Sequence, residues 1–389
     1  MRILLAHRSF PGQYRWVLPE LQRLGFDVVF ACVEKTDWPS NGIKVLCKED
    51  QETHDSSLTS SSVSRIGYDY VDNFLSIGLD LLKSGWIPNI IWSHSGWGAW
   101  KISDIFPDVP LITYAEWYYK DSNLNCLSES TVDTKTKLHY SLVNSATAAA
   151  ISRSDISICP THWQRSMFPS NLRSNISVVR DGFPTNVFNP NKIPLDSQTN
   201  DLSLVYVSRG LEYTRGVDRL ADCCKFIASN KLPINISVIA DNRRVYDVNP
   251  SSSVAQSIDY ITSSTSIHYT SQKSYAEYLH YVRNSDIHLY LSRPFVLSWS
   301  FIESALIGSR ILSLSNPSTF EHSYPSHINF PDTKPLYSFI ERQAALGPKK
   351  IRENKLEYLN SSEYREYCLS RSINIQVSKL IELTFSLIR

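Results

Sequence analysis

Two arginines and a glutamate in the second half of the chain have the types and spacing to bind a phosphorylated sugar. Arg209 and Arg215 follow an apolar run, and two such guanidinium groups can clamp a diphosphate through forked hydrogen bonds. Two surface arginines in weak ion pairs are the alternative. Further along, the loop 292–299 leads into a predicted helix with Glu303 in its first turn. Because helix N-termini bind anions and carboxylates accept from paired hydroxyls, this pattern predicts a nucleotide-sugar pocket.

Glu303 has a second interpretation within the same helix, which is predicted to open near Ser300 and to end at Gly308. Ser300 and Glu303 have the spacing of a capping box. In that arrangement the glutamate would accept from a backbone N–H of its own helix and would not be available to a ligand.

A histidine in the first half also follows a predicted strand. His94 lies in the sequence WSHSGWGAW, where Gly96 and Gly98 permit a tight turn and close backbone approach. A side chain at the carboxyl end of a parallel strand faces the ligand crevice of an open α/β sheet. A buried structural histidine is the alternative.

The elements that must position these residues alternate along the chain. The predicted strands are 3–6, 28–32, 90–93, 111–114, 156–159, 176–180, 203–207, 234–240, 287–291 and 311–314. The predicted helices are 14–24, 73–83, 138–153, 217–229, 274–284, 300–307 and 363–389, and the serine-rich segment 56–64 is predicted to be a loop. Such alternation implies parallel sheets that are covered by helices.

Segment 189–201 has two prolines and no periodicity, so it is predicted to be a linker. The strand and helix pattern restarts after it. The fold class is therefore α/β, with two Rossmann-like domains facing across a cleft, residues 1–193 and 194–369.

Composition limits the class of protein. With 389 residues, 42% hydrophobic and 20% charged, the chain is long enough for two globular domains. A net charge of +1 does not show the excess of basic residues that is typical of nucleic-acid-binding proteins. Seven cysteines without a CxxC predict reduced thiols. The first apolar run is too short for a signal peptide, and no stretch is long enough for a membrane span. We therefore expect a cytoplasmic protein, and peripheral contact with the inner face of a membrane stays open.

Together these motifs resemble those of the retaining glycosyltransferase family 4, which has the GT-B fold. In that family two cations in a Gly-Arg…Lys-Gly pattern hold the donor diphosphate. Arg209 and Arg215 match these cations, with Ser208 in place of the first glycine and arginine in place of lysine. Of the family's two spaced glutamates, Glu303 matches the second, whereas Phe295 occupies the position of the first.

The resemblance covers most of the chain. PGQYR, which contains Gly12, matches the family's first loop, and HSGWG with YAEWYY resembles a subgroup with a distinctive N-terminal domain. Three further segments match the family's pattern at the end of the N-terminal domain: Pro160-Thr161, 180–183 and 188–190. In relatives the last helix, here about 370–389, packs back on the first domain.

The resemblance implies roles for individual residues. Arg209, Arg215, Glu116 and His94 would be catalytic, with Glu116 orienting an acceptor hydroxyl or stabilising positive charge at the anomeric carbon. A plain salt bridge or helix N-cap is the alternative for Glu116. The donor would be bound by Glu303, Phe295, Val296, Leu297, Ser298, Trp299, Gly12, Gly210 and Tyr269. The acceptor would be bound by Trp97, Gly98, Trp117 and Tyr118, with one or two of the aromatic rings touching it. Core packing is the alternative for these rings. His7 and Arg8, near Gly12, could meet the donor phosphate.

The implied activity is retaining transfer of a sugar from a nucleoside-diphosphate sugar to a glycan, lipid-linked or small-molecule acceptor, in glycan or polysaccharide biosynthesis. The sequence has no DxD motif and no His/Cys/Asp cluster with metal spacing, so no metal or other cofactor is expected. One alternative is an epimerase or hydrolase of the GT-B fold. The other is a non-catalytic sugar-nucleotide binding protein, which Phe295 and Glu116 make credible.

Overall fold

The computed structural model describes residues 1–49, 66–129, 132–194, 200–241, 251–271, 274–322 and 324–388. The serine-rich loop predicted at 56–64 lies outside these ranges. The chain divides into two compact units. The first unit comprises Met1–Lys120, Asp133–Phe183 and Arg371–Arg389, and the second comprises Asp121–Val132 and Pro184–Ser370.

The first unit is built on a parallel sheet that has seven strands in the described residues. In chain order they are β1 (Arg2–Ala6), β2 (Asp27–Cys32), β3 (Lys44–Cys47), β4 (Ile90–His94), β5 (Leu111–Tyr114), β6 (Ile156–Cys159) and β7 (Ile176–Val178). Their order across the sheet is β3-β2-β1-β4-β5-β6-β7. The chain therefore changes direction between β1 and β4, which makes this the topological switch point where open α/β sheets bind ligands.

The second unit repeats this plan with a parallel sheet that has six strands in the described residues. They are β8 (Leu202–Gly210), β9 (Ile234–Asp241), β10 (Ile267–Thr270), β11 (Ile287–Tyr290), β12 (Arg310–Leu314) and β13 (His327–Phe330). The order β10-β9-β8-β11-β12-β13 places the switch point between β8 and β11. The predicted α/β fold class with two parallel-sheet domains is confirmed.

Three strands were absent from the sequence prediction: β3, β10 and β13. Each has four residues and lies at the edge of its sheet. Most of their residues are exposed or half-buried, so they lack the continuous apolar run that marks a central strand.

Helices cover both sheets. Within the described residues they are α1 (Val17–Arg23), α2 (Val71–Lys83), α3 (Asp121–Leu124), α4 (Thr134–Arg153), α5 (His162–Ser166), α6 (Ser170–Arg173), α7 (Val217–Ser229), α8 (Ser252–Ser263), α9 (Tyr275–Asn284), α10 (Trp299–Leu306), α11 (Thr333–Leu346), α12 (Lys349–Leu359), α13 (Ser362–Ser370) and α14 (Ile373–Leu387). In the described chain, no helix has the length and apolar character needed to cross a membrane.

Local sequence explains where two of these helices begin. Pro19 is the third residue of α1, in the first turn, where a missing backbone N–H removes no intrahelical bond. The predicted start at residue 14 is wrong, because Gly12–Tyr14 forms a separate 3-10 turn. At α9, Ser274 and Glu277 form a capping box that satisfies the first backbone donors.

The single helix predicted at 363–389 is two helices, α13 and α14. The chain leaves the helical path because the backbone N–H of Phe183 donates to the carbonyl of Arg371 at 2.8 Å. Ser372 then caps α14. Within the first unit α14 is held to the sheet by a bond from the indole of Trp92 to Thr384 at 3.1 Å, and Gly182 donates to Gln376 at 2.8 Å.

Candidate functional site

The predicted donor residues of the second unit are grouped on two loops at its switch point. The β8–α7 loop (residues 211–216) and the β11–α10 loop (residues 291–298) follow strands that pair directly in the centre of the sheet. Because parallel strands end at the same edge, the two loops and the first turn of α10 lie together.

Gly216 and Arg293 join these two loops. Gly216 has φ +80°, and a Cβ atom there would lie 2.2 Å from the carbonyl oxygen of Leu291, so only glycine permits this approach. Arg293 donates both terminal nitrogens to the carboxylate of Asp218, at 2.9 and 2.7 Å. Its backbone N–H donates to Thr214 at 2.9 Å. The loops therefore form one rigid surface.

Arg209 and Arg215 differ in their surroundings. Strand β8 continues to Gly210 with an irregularity between Ser208 and Gly210, so Arg209 lies within the irregular strand end, whereas the sequence prediction ended the strand at Val207 or Ser208. Arg209 is exposed. Arg215 is half-buried and donates to the carbonyl of Val296 at 3.1 Å.

Phe295 is buried, and its ring centre lies 5.9 Å from the Arg215 guanidinium. An aromatic ring attracts a cation through its quadrupole, so this pair keeps the arginine beside the β11–α10 loop. Phe295 therefore places an aromatic ring beside the Arg215 guanidinium, at the position where the family resemblance predicts a carboxylate.

Glu303 is the fifth residue of α10, which begins at Trp299 with Ser298 as its N-cap. The expectation that Glu303 lies in the first turn is therefore wrong. The capping-box alternative is also wrong, because the N-cap residue of α10 is Ser298 and not Ser300. Both carboxylate oxygens of Glu303 accept from tyrosine hydroxyls. Tyr275 donates to Oε1 and Tyr278 to Oε2, each at 2.6 Å. The earlier helix start moves the carboxylate from the N-terminus to a buried position against α9.

The other predicted donor residues are spread over four places. On the β11–α10 loop and its continuation, Leu297 is buried, whereas Val296, Ser298 and Trp299 are half-buried. The backbone N–H of Ser298 donates to the hydroxyl of Tyr290 at 3.0 Å, so this amide already has an acceptor. Gly210 ends β8 and Tyr269 is half-buried on β10. Gly12 lies in the first unit.

The first unit collects polar residues at its own switch point. The ring centres of His7, after β1, and His94, at the end of β4, lie 5.3 Å apart. Nε2 of His94 lies 3.7 Å from an oxygen of Glu116, which follows β5. The other oxygen of Glu116 accepts from Gln13 at 3.3 Å. A Cβ atom on Gly12 would lie 2.4 Å from the His7 ring, so glycine is required beside this imidazole.

A hydrogen bond determines where His94 carries its proton, and burial determines the charge of His7. Nδ1 of His94 accepts from the backbone N–H of Gly96 at 2.8 Å, so a neutral ring carries its proton on Nε2, the atom nearest Glu116. Burial, and then the neighbouring His94, lower the pKa of His7 to about 3. Nε2 of both rings is buried and has no hydrogen-bond partner among the described residues, which is the pattern expected where a polar ligand completes the site.

The predicted acceptor aromatics fall into two groups. Trp97 has φ +59°, a strained conformation for a bulky residue, and its ring stacks on His94 at 4.5 Å. The following Gly98, at φ +75°, packs against Val71. Trp117 and Tyr118 instead have ring centres 6.5 Å from the half-buried Trp163 and 5.7 Å from the buried Phe168. Only Trp97 of these rings belongs to the histidine cluster.

Sequence reasoning did not single out Gln13, Tyr275, Tyr278 or Arg293. Tyr275 and Tyr278 are three residues apart in a predicted helix, which indicates one shared face. Nothing in the sequence connects that face with Glu303, because the contact joins residues 25 and 28 positions apart. Over the described ranges, no group of three or more His, Cys, Asp or Glu side chains could hold a metal ion.

Comparison with known proteins supports the fold described above. Residues 25–188 match the family model described as Glycosyl transferase family 4 group. No curated protein matches the chain by sequence. The chain has the GT-B fold. Solved structures align over its whole length, and two of the structures similar to it are trehalose-6-phosphate synthase and the catalytic domain of a starch synthase.

Three solved structures illustrate this similarity. A glycosyltransferase from Rickettsia africae has 13% identity and a TM-score of 0.65, with 100% of this chain and 98% of that chain covered. Anabaena HepE in complex with UDP and glucose has 12% identity and a TM-score of 0.66, with 99% of this chain and 100% of that chain covered. The catalytic domain of Arabidopsis thaliana starch synthase IV, bound to ADP and acarbose, has 13% identity and a TM-score of 0.67. The alignment covers 100% of this chain and 99% of that chain. The family model thus covers less than half of the chain, within the first unit, and the solved structures extend the similarity in fold to both units.

Proposed function

We propose that the protein transfers a sugar from a nucleoside-diphosphate sugar to an acceptor hydroxyl, with retention of anomeric configuration and without a metal ion. The observation that carries the proposal is the pair of loops at the β8/β11 switch point. Arg215 on the first loop donates to Val296 on the second, just before α10, and Arg209 lies at the end of β8 that leads into the first loop.

The chemistry follows from the charge that develops when the donor reacts. Negative charge accumulates on the leaving nucleoside diphosphate, and preorganised donors that meet it lower the barrier. Arg209 and Arg215 supply two positive charges, and the N-terminus of α10 adds a partial positive charge. Arg215 is preorganised by Val296 and Phe295, so little reorganisation is needed when the charge appears.

The acceptor role is assigned to the first unit. His94 carries a proton on Nε2 next to Glu116, so the pair can hold a hydroxyl and take part in its proton transfer. Trp97 offers an aromatic face beside them. The acceptor is a glycan, a lipid-linked precursor or a small metabolite, and we place the reaction in glycan or polysaccharide biosynthesis in the cytoplasm.

A thermal-shift screen tests the donor assignment. UDP, GDP, ADP, dTDP and CMP are each compared with their common sugar conjugates, in buffer with EDTA. A ligand that binds only the folded state raises the melting temperature, so we expect one nucleotide to stand above the others. The Arg209→Ala variant should lose that shift. If no nucleotide stabilises the protein, or if the shift needs Mn²⁺, the corresponding part of the proposal is wrong.

The second candidate is a non-catalytic sugar-nucleotide binding protein, favoured by one observation. Phe295, and not a carboxylate, lies against Arg215, so the usual polar contact near the donor sugar is missing from that position. Tight donor binding without release of nucleoside diphosphate on any acceptor, or on water, would support this candidate over the transferase.

A further inference from the structure

Two cysteines face each other on neighbouring strands at the edge of the first unit's sheet. In the parallel register of β2 and β3, Cys32 is the partner of Cys47. Neighbouring strands lie about 4.8 Å apart, so the two Cα atoms fall within the roughly 4.4–6.8 Å that a disulfide spans. No short spacing in the sequence marks this pair, because the register of two strands creates it.

Both cysteine side chains lie on the same face of the sheet. Side chains alternate between the two faces along a strand, and partners across a parallel pair share a face. The preceding partners, Ala31 and Leu46, pack in the apolar cluster on one face, so Cys32 and Cys47 point to the other. Their thiols are hydrogen-bonded to each other. A disulfide therefore needs rotation about side-chain bonds and no change of strand register.

The backbone next to each cysteine is held by hydrogen bonds. Two residues after Cys32, the N–H of Glu34 donates to the carbonyl of Arg8 at 3.0 Å. Directly after Cys47, the N–H of Lys48 donates to the carbonyl of Cys32 at 3.2 Å. The two thiols are therefore kept opposite each other in the folded protein.

The two thiols differ in access and in ease of ionisation. Cys32 is fully buried, whereas Cys47 is half-buried on the edge strand. Burial, and then the neighbouring Cys47, raise the pKa of Cys32. Burial also raises the pKa of Cys47, but the hydrogen bond from Cys32 lowers it. Cys47 is thus the first of the two to form the reactive thiolate, and the pair stays reduced until an oxidant is present.

We propose that Cys32 and Cys47 form a reversible disulfide in response to a peroxide, with Cys47 as the thiol that reacts first and Cys32 as the thiol that resolves it. The pair is a modification site in the first unit. This inference goes beyond the proposed function and does not depend on it.

The reaction has two steps when the oxidant is hydrogen peroxide. The Cys47 thiolate attacks one oxygen, the O–O bond breaks, and the products are a sulfenic acid on Cys47 and water. The Cys32 sulfur then attacks the Cys47 sulfur, so that the S–S bond forms, the S–O bond breaks and a second water leaves. The two thiols together lose two electrons and two protons, which reduce the peroxide to two waters.

Peptide mapping of the full-length protein tests this inference. The reduced protein is treated with hydrogen peroxide, the remaining thiols are alkylated, and a tryptic digest is analysed by mass spectrometry. Trypsin cleaves after Lys35 and Lys44, which separates the two cysteines. We expect a linked pair of peptides that contain Cys32 and Cys47, with a mass two hydrogens below their sum. Dithiothreitol should return both to free thiols.

Three variants test the order of the two thiols. Cys32→Ala removes the resolving thiol, so the sulfenic acid on Cys47 should persist and be trapped by dimedone. Cys47→Ala removes the accessible thiol, and the buried Cys32 should then stay reduced over the same period. Cys126→Ala is the matched control, because Cys126 is a half-buried cysteine of the second unit. It should form the bridge as the wild-type protein does.

The wild-type result decides the inference even if a variant does not fold. If both cysteines stay reduced, or if Cys47 proceeds to a sulfinic acid while Cys32 stays free, the inference is wrong. It is also wrong if the two cysteines pair with others as often as with each other, because the strand register would then not select the bond. If Cys32 in Cys47→Ala reacts as fast as Cys47 in Cys32→Ala, the assigned order is wrong.

Discussion

At the scale of single residues, Arg209 offers the clearest test of catalysis. Its side chain is exposed, whereas Arg215 also supports the β11–α10 loop through Val296. We predict that Arg209→Ala lowers turnover of the nucleotide sugar by about 10²–10³, the usual cost of removing one preorganised donor. Stability should change by no more than about 0.5 kcal/mol, as for other surface substitutions.

Steady-state kinetics and a thermal melt measure these two quantities. Arg342→Ala is the matched control, because Arg342 is an exposed arginine on α11 of the same unit. The control should keep its activity. Near-normal turnover in Arg209→Ala would remove this residue from the catalytic site.

At the scale of secondary-structure elements, Gly216 decides how closely the β8–α7 and β11–α10 loops approach. We predict that Gly216→Ala lowers the free energy of unfolding by about 2–4 kcal/mol, because strain at positive φ adds to a clash with backbone. The clash arises because the new Cβ atom would lie 2.2 Å from the Leu291 oxygen. Urea denaturation followed by circular dichroism measures the change.

Gly347 provides a control for the energetic cost of a positive φ angle without a steric clash. It has φ +74°, but a Cβ atom there would meet nothing within 4 Å, so Gly347→Ala should cost only about 1 kcal/mol. Equal losses in the two variants would show that the close approach of the loops does not contribute to stability.

At the scale of the whole molecule, buried histidines in both units should make the protein sensitive to acid. Burial lowers the pKa of His7 and of His288 from 6.5 to about 3, and that of His327 to about 4. The unfolded chain therefore binds more protons below pH 6.5 than the folded one. Stability from these groups is complete above pH 6.5 and is lost as the pH falls through the folded-state pKa values of about 4 for His327 and about 3 for His7 and His288.

Urea denaturation at pH 7 and pH 5 measures this dependence. We expect a loss of up to about 2 kcal/mol for each buried histidine over this interval, since one pH unit corresponds to about 1.4 kcal/mol. His288→Gln cannot titrate, and its stability should therefore depend less on pH. Stability that is unchanged or higher at pH 5 would show that these imidazoles are protonated in the folded state.

The sequence by itself determined the local structure and the chemical types at the site. Helix α7 and strands β5 and β6 have the predicted bounds, because a central strand or an amphipathic helix carries its pattern in consecutive residues. The placement of Arg209 and His94 at strand ends, and of Arg215 on the loop after β8, followed from the same pattern. The motifs that surround them predicted the GT-B fold, which is confirmed.

Only the tertiary structure decided which distant groups meet. The hydroxyls that bind Glu303 come from α9, the break between α13 and α14 depends on the backbone of Phe183, and the edge strands exist because a neighbouring strand is present. The physical reason is the same in each case. A hydrogen bond between residues far apart in the chain leaves no periodic signal, because its partner is chosen by packing and not by the neighbouring sequence.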